Sequence, residues 1–587
     1  MENVKVTIDG KIVEVPKDYT VLKACREAGI KIPTLCYLKD VNQIGACRMC
    51  LVEIDNIRGL QASCVYPVYE GMNIHTNNEQ IRQARKVNLE LILSNHNREC
   101  TTCIRSENCE LQQLSKELNI KDIEYEGEKN APPIDDISPS IVRDNSKCIL
   151  CRRCVSMCKD VQKVNAIQAT DRGFKTEIGV GFNKSMNDYN CINCGQCIQA
   201  CPVGALYEKR NMDQVWKALA DKEKYVMVQT APAVRTALGE EFGMPMGTRV
   251  TGKMVTALRK LGFAKVTDTN TGADLTILEE GTEFLDRVVN GTGKLPIITS
   301  CCPAWVKSCE QDYPDVLEHL SSAKSPHLMM GSILKHFYAE KAGIDMNKAF
   351  VVSVMPCIAK KFEQDRPEME ARGARDVDVT ITTRELAMMI KEAGIDFVKL
   401  EDSKFDDPIG EATGAGAIFG ATGGVAEAAF RTVVEKLTGH EIEQIEYHQL
   451  RGEKKIKEFS AQAGDRTLRG VIVSGIGNIK EILEEVRHGE SKYDFIEIMA
   501  CEGGCIMGGG QPIVNARTKE DVNVFEKRAA AIYEEDTKAE LRRSHKNPFV
   551  LRLYEEFLEK PNSHVSHELL HTGYKKRDKY PDECKKQ

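Results

Sequence analysis

CILCRRCVSMC (148–158) and CINCGQCIQACP (191–202) decide how the first third of this chain is built. Both runs space their cysteines C-x2-C-x2-C-x3-C, and the second closes on Cys201-Pro202. Eight thiols at two identical spacings are ligand sets. Disulfides need an oxidising compartment and usually a short, core-poor chain. This chain has 587 residues and 23 cysteines, which is too long for one core and calls for several domains. Its N-terminus, MENVKVTIDGKIVEV, has no apolar signal core, so a cytoplasmic setting at low oxygen is expected. A net charge of −7 without a basic stripe argues against nucleic acid, and no long apolar run predicts a membrane span.

The repeat is the two-cluster bacterial ferredoxin arrangement, in which the fourth cysteine of each run ligates the other cluster. One [4Fe–4S] centre then takes Cys148, Cys151, Cys154 and Cys201, and the other Cys191, Cys194, Cys197 and Cys158. Upstream, VKVTIDGKIVEVP (4–16) reads as a hairpin about Asp9-Gly10, followed by a Thr20-capped helix ending at Gly29. Cys36, Cys47, Cys50 and Cys64 follow, resembling a β-grasp ferredoxin with a [2Fe–2S] cluster. Ten residues separate Cys36 from Cys47, against four in the plant-type pattern. Cys25 lies off this pattern and is assigned to core packing. His96, Cys100, Cys103 and Cys109 space as H-x3-C-x2-C-x5-C, with the imidazole expected one turn ahead of Cys100. Zinc accepts one histidine with three cysteines, but the neighbouring clusters favour a third [4Fe–4S] centre. Residues 119–140, acidic and carrying Pro132, Pro133 and Pro139, read as a linker.

Downstream, strands are expected at 225–232, 263–267, 350–355, 469–474 and 495–499, with helices between them, for example at 325–340 and 383–393. That alternation predicts a two-lobed α/β domain. PIITSCCPAW (296–305), SVMPCIAKKFE (353–363) and EIMACEGGCIMGGGQP (497–512) each run from a strand into cysteines, and open α/β sheets bind ligands at the carboxyl ends of strands. Cys302, Cys357, Cys501 and Cys505 are candidates for one more cluster. Gly503-Gly504 and Gly508-Gly509-Gly510 would let backbone approach it closely. Cys301 is left beside it as a free thiol suited to acid–base work. Lys360 falls one turn after Cys357, although spacing alone favours a surface lysine. Cys309 and Cys584 match no ligand pattern.

TSCCPAW, MPCIAKKFE and MACEGGCIMGGGQP resemble the three signature segments of the [FeFe] hydrogenases, and the order of accessory clusters is similar to that family's. The resemblance implies reversible interconversion of protons and electrons with H2 at an H-cluster, a [4Fe–4S] cubane joined to a diiron subsite with CO, cyanide and azadithiolate. Carried over, Cys302, Cys357 and Cys501 hold the cubane and Cys505 bridges it to the diiron unit. Cys301 resembles the proton-passing thiol, Lys360 the lysine that binds a cyanide, and Met355 and Met499 the methionines flanking the subsite. Cys301, Glu280, Ser321 and Glu283 resemble the family's proton path; a solvated acidic helix is the bland alternative for the glutamates. His327 departs from the family's frequent glutamine and would tune the site or add a titrating group.

The expected architecture is multidomain α+β and α/β. It comprises a β-grasp [2Fe–2S] domain (1–79), a small helical domain with one histidine and three cysteines as ligands (80–119), a two-cluster ferredoxin domain (138–209) and a large two-lobed hydrogenase domain with a helical tail (210–587). Partners are ferredoxin or flavin- and NAD(P)-binding subunits, since the chain carries no Rossmann fingerprint. The alternatives are the catalytic subunit of an NAD(P)-reducing or electron-bifurcating complex, and a non-catalytic iron–sulfur electron-transfer or sensory protein.

Overall fold

The computed structural model describes residues 2–181, 184–410, 412–443, 445–464 and 466–580; Cys584 lies outside them. The hairpin Asn3–Ile8/Lys11–Pro16 pairs Ile8 with Lys11, and both residues of its turn, Asp9 and Gly10, take positive φ. That is the backbone a two-residue turn needs to match strand twist. The first strand also pairs in parallel with Asn73–His75, completing a five-stranded mixed sheet crossed by the helix Val21–Glu27. Thr20 accepts from the Lys23 amide, and Cys25 is buried in this core.

The helix Glu79–Asn95 ends one residue before His96, whose extended backbone (ψ 138°) turns out of the helix; Cys100 begins a separate turn. His96 is therefore not stacked one helical turn ahead of Cys100. Residues 119–140 also depart from the linker expectation. Asn130 N donates to Asn95 Oδ1 at 2.8 Å, Asp135 and Arg143 exchange two backbone bonds, and Ser138 and Ser140 are fully buried. This segment is a strap laid on the ferredoxin domain.

That domain shows its repeat in backbone shape. Leu150 and Arg152 in the first cysteine loop, and Asn193 and Gly195 in the second, take left-handed φ at matching positions. Each loop feeds a short helix, Arg153–Ser156 or Gln196–Ala200.

The large domain holds two four-stranded sheets. One is all parallel, in the order Lys265–Asp268, Tyr225–Thr230, Ala349–Met355, Val379–Thr382. The other runs Ile297–Ile298, Phe495–Met499, Arg466–Ser474 in parallel, with Ile456–Ala463 antiparallel at its edge. Val226, Val228, Val352 and Val354 belong to one core, while neighbouring residues of the strand Arg466–Ser474 divide between two others. Burial on both faces explains why these strands read as continuous apolar runs. The expected helix at 325–340 is Pro326–Ile333 continued by a π-turn, Leu334–Tyr338.

Candidate active site

All three cysteine segments leave the carboxyl ends of parallel strands. Ile298 leads to Cys301 and Cys302, Met355 to Cys357, and Met499 to Cys501 and Cys505. Two segments come from one sheet and one from the other, so the cysteines meet between the lobes. Cys301, Cys302, Cys357, Cys501 and Cys505 line one cavity, together with Met355, Met499, Lys360, His327 and Cys194. Adjacent Cys301 and Cys302 both reach it.

Burial raises every one of these thiols, and repulsion from neighbouring thiols adds to it for Cys301, Cys357, Cys501 and Cys505. Cys357 is pushed up to about 12, and Cys301 and Cys501 well above the ordinary thiol value. A crowd of buried would-be thiolates needs compensating cations, and metal coordination removes thiol protons outright. Among the described residues, no three Cys, His, Asp or Glu side chains converge on a point suited to one ion. The thiols stand around a chamber instead, which suits a multi-atom cluster. Cys302 Sγ accepts from the Ala500 amide at 3.5 Å and Cys501 Sγ from Gln196 Nε2 at 3.1 Å.

The glycines bring backbones together. A Cβ on Gly504 would lie 2.6 Å from Thr422 N, one on Gly508 2.3 Å from Pro356 O, and one on Gly509 2.5 Å from Cys194 O. They let separate backbones close around the chamber.

Lys360 is not a surface residue; only 8% of it is exposed. Its Nζ donates to Cys301 O at 3.1 Å and to Glu363 Oε2 at 2.8 Å. Burial opposes the ammonium charge, but Glu363 outweighs it and the pKa is raised. Glu363 also accepts from Ser325 Oγ at 2.9 Å and pairs with His327 Nε2 at 2.6 Å. It is buried, yet Lys360 and His327 hold its carboxyl down at about 2. His327 itself falls to about 4, from burial and the Lys360 charge. It is neutral near pH 7 and adds no titrating group there. Sequence reasoning passed over Glu363, although a carboxylate three residues after Lys360 was a visible helical ion-pair signal.

Glu280 is buried rather than solvated, and burial with the nearby Glu283 charge lifts its carboxyl to about 8. Its charge acts on the Cys301 thiol more strongly than any other. Glu280 Oε1 is buried without a hydrogen-bond partner. Ser321 Oγ donates to Glu283 Oε2 at 2.9 Å, and Arg287 pairs with the same carboxylate. Cys301, Glu280, Ser321 and Glu283 thus lie in sequence away from the chamber.

The other ligand sets also cluster. The thiols of Cys36 and Cys47 face each other, as do those of Cys50 and Cys64. His96, Cys100, Cys103 and Cys109 line one cavity; burial lowers His96 to about 4 and its Nδ1 has no partner, so a neutral ring nitrogen is free to ligate. Cys158 joins Cys191, Cys194 and Cys197 around another cavity, and Cys148, Cys151 and Cys201 crowd Cys154. The junctions are close. Asn42 Nδ2 donates to both Cys36 O (2.8 Å) and Cys151 O (3.1 Å). Arg105 Nη1 donates to Cys201 O at 2.9 Å. Cys194 belongs to a ferredoxin set and also lines the chamber. The Cys36 set and the His96 set therefore both adjoin the Cys148 set, and the Cys194 set adjoins the chamber. Asn42 and Gln196 carried no sequence signal as contacts, because long-range pairing decides their roles.

Comparison with known proteins matches residues 224–509 to the iron only hydrogenase large subunit, C-terminal domain, and 522–577 to the iron hydrogenase small subunit. Residues 1–79 match a 2Fe-2S iron–sulfur cluster binding domain. Residues 85–124 match the NADH-ubiquinone oxidoreductase-G iron–sulfur binding region, and 138–207 the ferredoxin-like domain of NADH-quinone oxidoreductase subunit 3. The NADP-reducing hydrogenase subunit HndD of Solidesulfovibrio fructosivorans is 47% identical, over 99% of this chain and 100% of that one. Iron hydrogenase 1 of Clostridium pasteurianum is 43% identical over 97% and 100%. A solved variant of the apo [FeFe]-hydrogenase HydA1 from Chlamydomonas reinhardtii superposes with a TM-score of 0.56 at 38% identity, covering 62% of this chain and 99% of its own. Full-length similarity, the strand-end cysteines and the accessory cluster domains agree: the chain belongs to the [FeFe] (iron-only) hydrogenase family and is a hydrogen oxidoreductase with [2Fe–2S] and [4Fe–4S] domains ahead of an H-cluster domain.

Proposed function

We propose that Cys302, Cys357, Cys501 and Cys505 hold the H-cluster, with Cys505 joining its two parts, and that Cys301 is the thiol exchanging protons with it. The observation that carries this reading is the single chamber lined by all five cysteines, Lys360 and Cys194. When bound, the cluster supplies the redox chemistry that interconverts protons and electrons with H2. The chain's residues do the rest. Lys360, held by Glu363, presents a fixed positive charge to an anionic ligand. Met355 and Met499 line the chamber with polarizable, apolar surface. Glu280, with a carboxyl near 8, holds a proton at neutral pH and releases it readily, as a relay requires. Ser321 connects it to Glu283 and the outside. Division of the chain at 1–79, 80–119, 138–209 and 210–587 fits this scheme, with one working part per segment.

For the partner, we favour a subunit that binds nicotinamide nucleotide and delivers or accepts electrons at the [2Fe–2S] inlet or the His96 inlet. The similarity to HndD and to NADH-oxidoreductase cluster domains supports this; ferredoxin is the second reading. No helix among the described residues is long and apolar enough to cross a membrane, and a cytoplasmic enzyme fits the proposed partners. Anaerobic purification with native partners, then H2 oxidation assayed with ferredoxin, NAD⁺ and NADP⁺ separately and together, tests the proposal. Turnover with ferredoxin alone would remove the nucleotide-linked partner. Infrared bands of CO and cyanide test the cluster. Near-normal H2 evolution by Cys301→Ala at full iron content would sink that thiol's role.

A further inference from the structure

Buried arginines in this fold are held by carboxylates, as Arg153 is by Glu110 and Arg384 by Glu208. Among the described residues two depart from that rule: Arg85 and Arg105 are 7% and 4% exposed, and their hydrogen bonds go to backbone carbonyls alone. Arg85 sits on the helix Glu79–Asn95 and donates from Nη2 to Leu51 O at 2.6 Å and Thr76 O at 3.1 Å. Its Nε is buried without a partner. Leu51 directly follows Cys50, and the Cys50 sulfur is the charge that acts on Arg85. Arg105 lies in the loop between Cys103 and Cys109. Its Nε donates to Asn108 O at 2.7 Å and its Nη1 to Cys201 O at 2.9 Å, while Nη2 is buried without a partner. The residue lines the cavity of His96, Cys100, Cys103 and Cys109. Cys201 and Cys109 are the strongest charges acting on it; Glu110 acts on it too, but is held by Arg153 at 2.9 and 2.8 Å. Two cysteine sets meet at this point. The Glu110 amide donates to Pro202 O at 3.1 Å, and a Cβ on Gly204 would lie 2.7 Å from Cys103 Sγ.

We infer that these two arginines are fixed counter-charges of the electron relay: Arg85 serves the Cys36 set alone, and Arg105 is shared between the His96 set and the Cys148 set. This rests on the assignment of those sets to one [2Fe–2S] and two [4Fe–4S] centres. A guanidinium without an anion is expensive to bury, and a carboxylate is the usual remedy. Here the anions within reach are cysteine sulfurs, which carry negative charge when they ligate iron. The benefit is mutual. A nearby cation makes a centre easier to reduce, because reduction adds negative charge, and net charge and hydrogen bonds to sulfur set such potentials. The shared position has a further consequence. An electron that leaves one [4Fe–4S] centre for the other stays beside Arg105, so the cation lifts both potentials together and traps the electron on neither side. Arginine keeps its charge throughout the working pH range, so the lift does not vary with pH. The Arg105 fork also ties Asn108 O to Cys201 O, which holds the two cysteine loops at one spacing.

The test is a redox titration of the full, matured chain followed by electron paramagnetic resonance, with iron content recorded in parallel. Cys109→Ser and Cys201→Ser assign the two [4Fe–4S] signals, one each. If both leave every signal and the iron content as in the native protein, the ligand sets beneath the inference fail, which is distinct from failure of the counter-charges. Arg105→Gln should disfavour reduction of both [4Fe–4S] centres by about tenfold, about 59 mV for one electron, and leave the [2Fe–2S] midpoint in place. Arg85→Gln should do the reverse, moving the [2Fe–2S] midpoint alone. Arg105→Lys and Arg85→Lys keep the charge and should stay within about threefold of native. Unmoved midpoints, a shift of all centres by either glutamine variant, a shift of one [4Fe–4S] centre alone by Arg105→Gln, or lysine variants that shift as far as glutamine overturn the inference. Where a glutamine variant fails to hold its cluster, the lysine variant decides: recovery of the signal near its native midpoint supports the counter-charge, and loss of the signal there too overturns it.

Discussion

Replacing Glu280 by glutamine should stabilise the protein while silencing it. The carboxyl sits at about 8 in the fold against an ordinary 4.5. The fold therefore binds its proton more tightly than the unfolded chain does. Its contribution to stability is whole below about pH 4.5, falls as pH rises, and is fully lost above about 8. At about 1.4 kcal/mol per unit, the native residue costs the fold about 2 kcal/mol at pH 6 and about 4 at pH 8. Glutamine has the same shape and no charge to desolvate, so Glu280→Gln relieves that cost; partial relaxation of the native site brings the expected gain to about 1–3 kcal/mol at pH 8. The assay is the thermal transition of the matured protein, native against variant, from pH 6 to 9. The difference should grow up to about pH 8 and then level off, while H2 turnover falls by about 10²-fold or more, the typical worth of a positioned proton carrier. An infrared carboxylic-acid band at pH 7 in the native protein, absent from the variant, would be the direct sign. A variant less stable than native at pH 8, or a stability difference that shrinks with rising pH, would refute the reasoning.

Gly509→Ala would place a Cβ 2.5 Å from Cys194 O and 2.7 Å from Gly195 Cα, so the ferredoxin domain must back away from the chamber. The expected cost is about 1–3 kcal/mol, with slower electron arrival at intact clusters, read by freeze-quench spectroscopy; unchanged transfer would count against the junction. Asn42→Leu removes both donors spanning Cys36 O and Cys151 O and leaves buried acceptors unpaired, about 1–3 kcal/mol each. Hydrogen exchange in residues 1–79 should rise at unchanged [2Fe–2S] content. Glu363→Gln leaves Lys360 as a buried, uncompensated cation and should cost about 3–5 kcal/mol. Pairing it with Lys360→Met should recover part of the loss, and a double variant worse than the sum would contradict the ion-pair account.

Ligand spacing carried most of the wiring because local chemistry dictates it. C-x2-C loops close on a cluster only with left-handed residues at set positions, and Leu150, Arg152, Asn193 and Gly195 occupy them. The strands were legible for a related reason: buried on both faces, they are apolar throughout, and those at 225–230 and 349–355 appear close to their expected limits. What escaped lies in long-range pairing. Val379–Thr382 and Ile456–Ala463 are a short strand and an edge strand whose existence depends on partners far along the chain. Lys360 read as a surface residue because an isolated lysine normally is one; Glu363 and the chamber wall make its burial tolerable.

The placement of these groups ties the two kinds of charge together. In the proposed scheme, electrons come to the chamber beside Cys194, through the ferredoxin domain, whereas the proton relay leaves through Cys301 and Glu280. The chamber is apolar and holds several thiols whose ionisation burial already opposes. Adding an electron alone would build unfavourable buried negative charge, which Lys360 offsets only in part because its ammonium is shared with Glu363. A neutral proton donor beside the chamber lowers that cost, because each electron can be matched by a proton drawn from Glu280. Such a donor must keep its proton at neutral pH until charge arrives and then release it. An ordinary glutamate, ionised above about pH 4.5, cannot do so; one raised to about 8 by burial and by Glu283 can. The burial that destabilises Glu280 in the fold is thus the same property that fits it to its place beside Cys301.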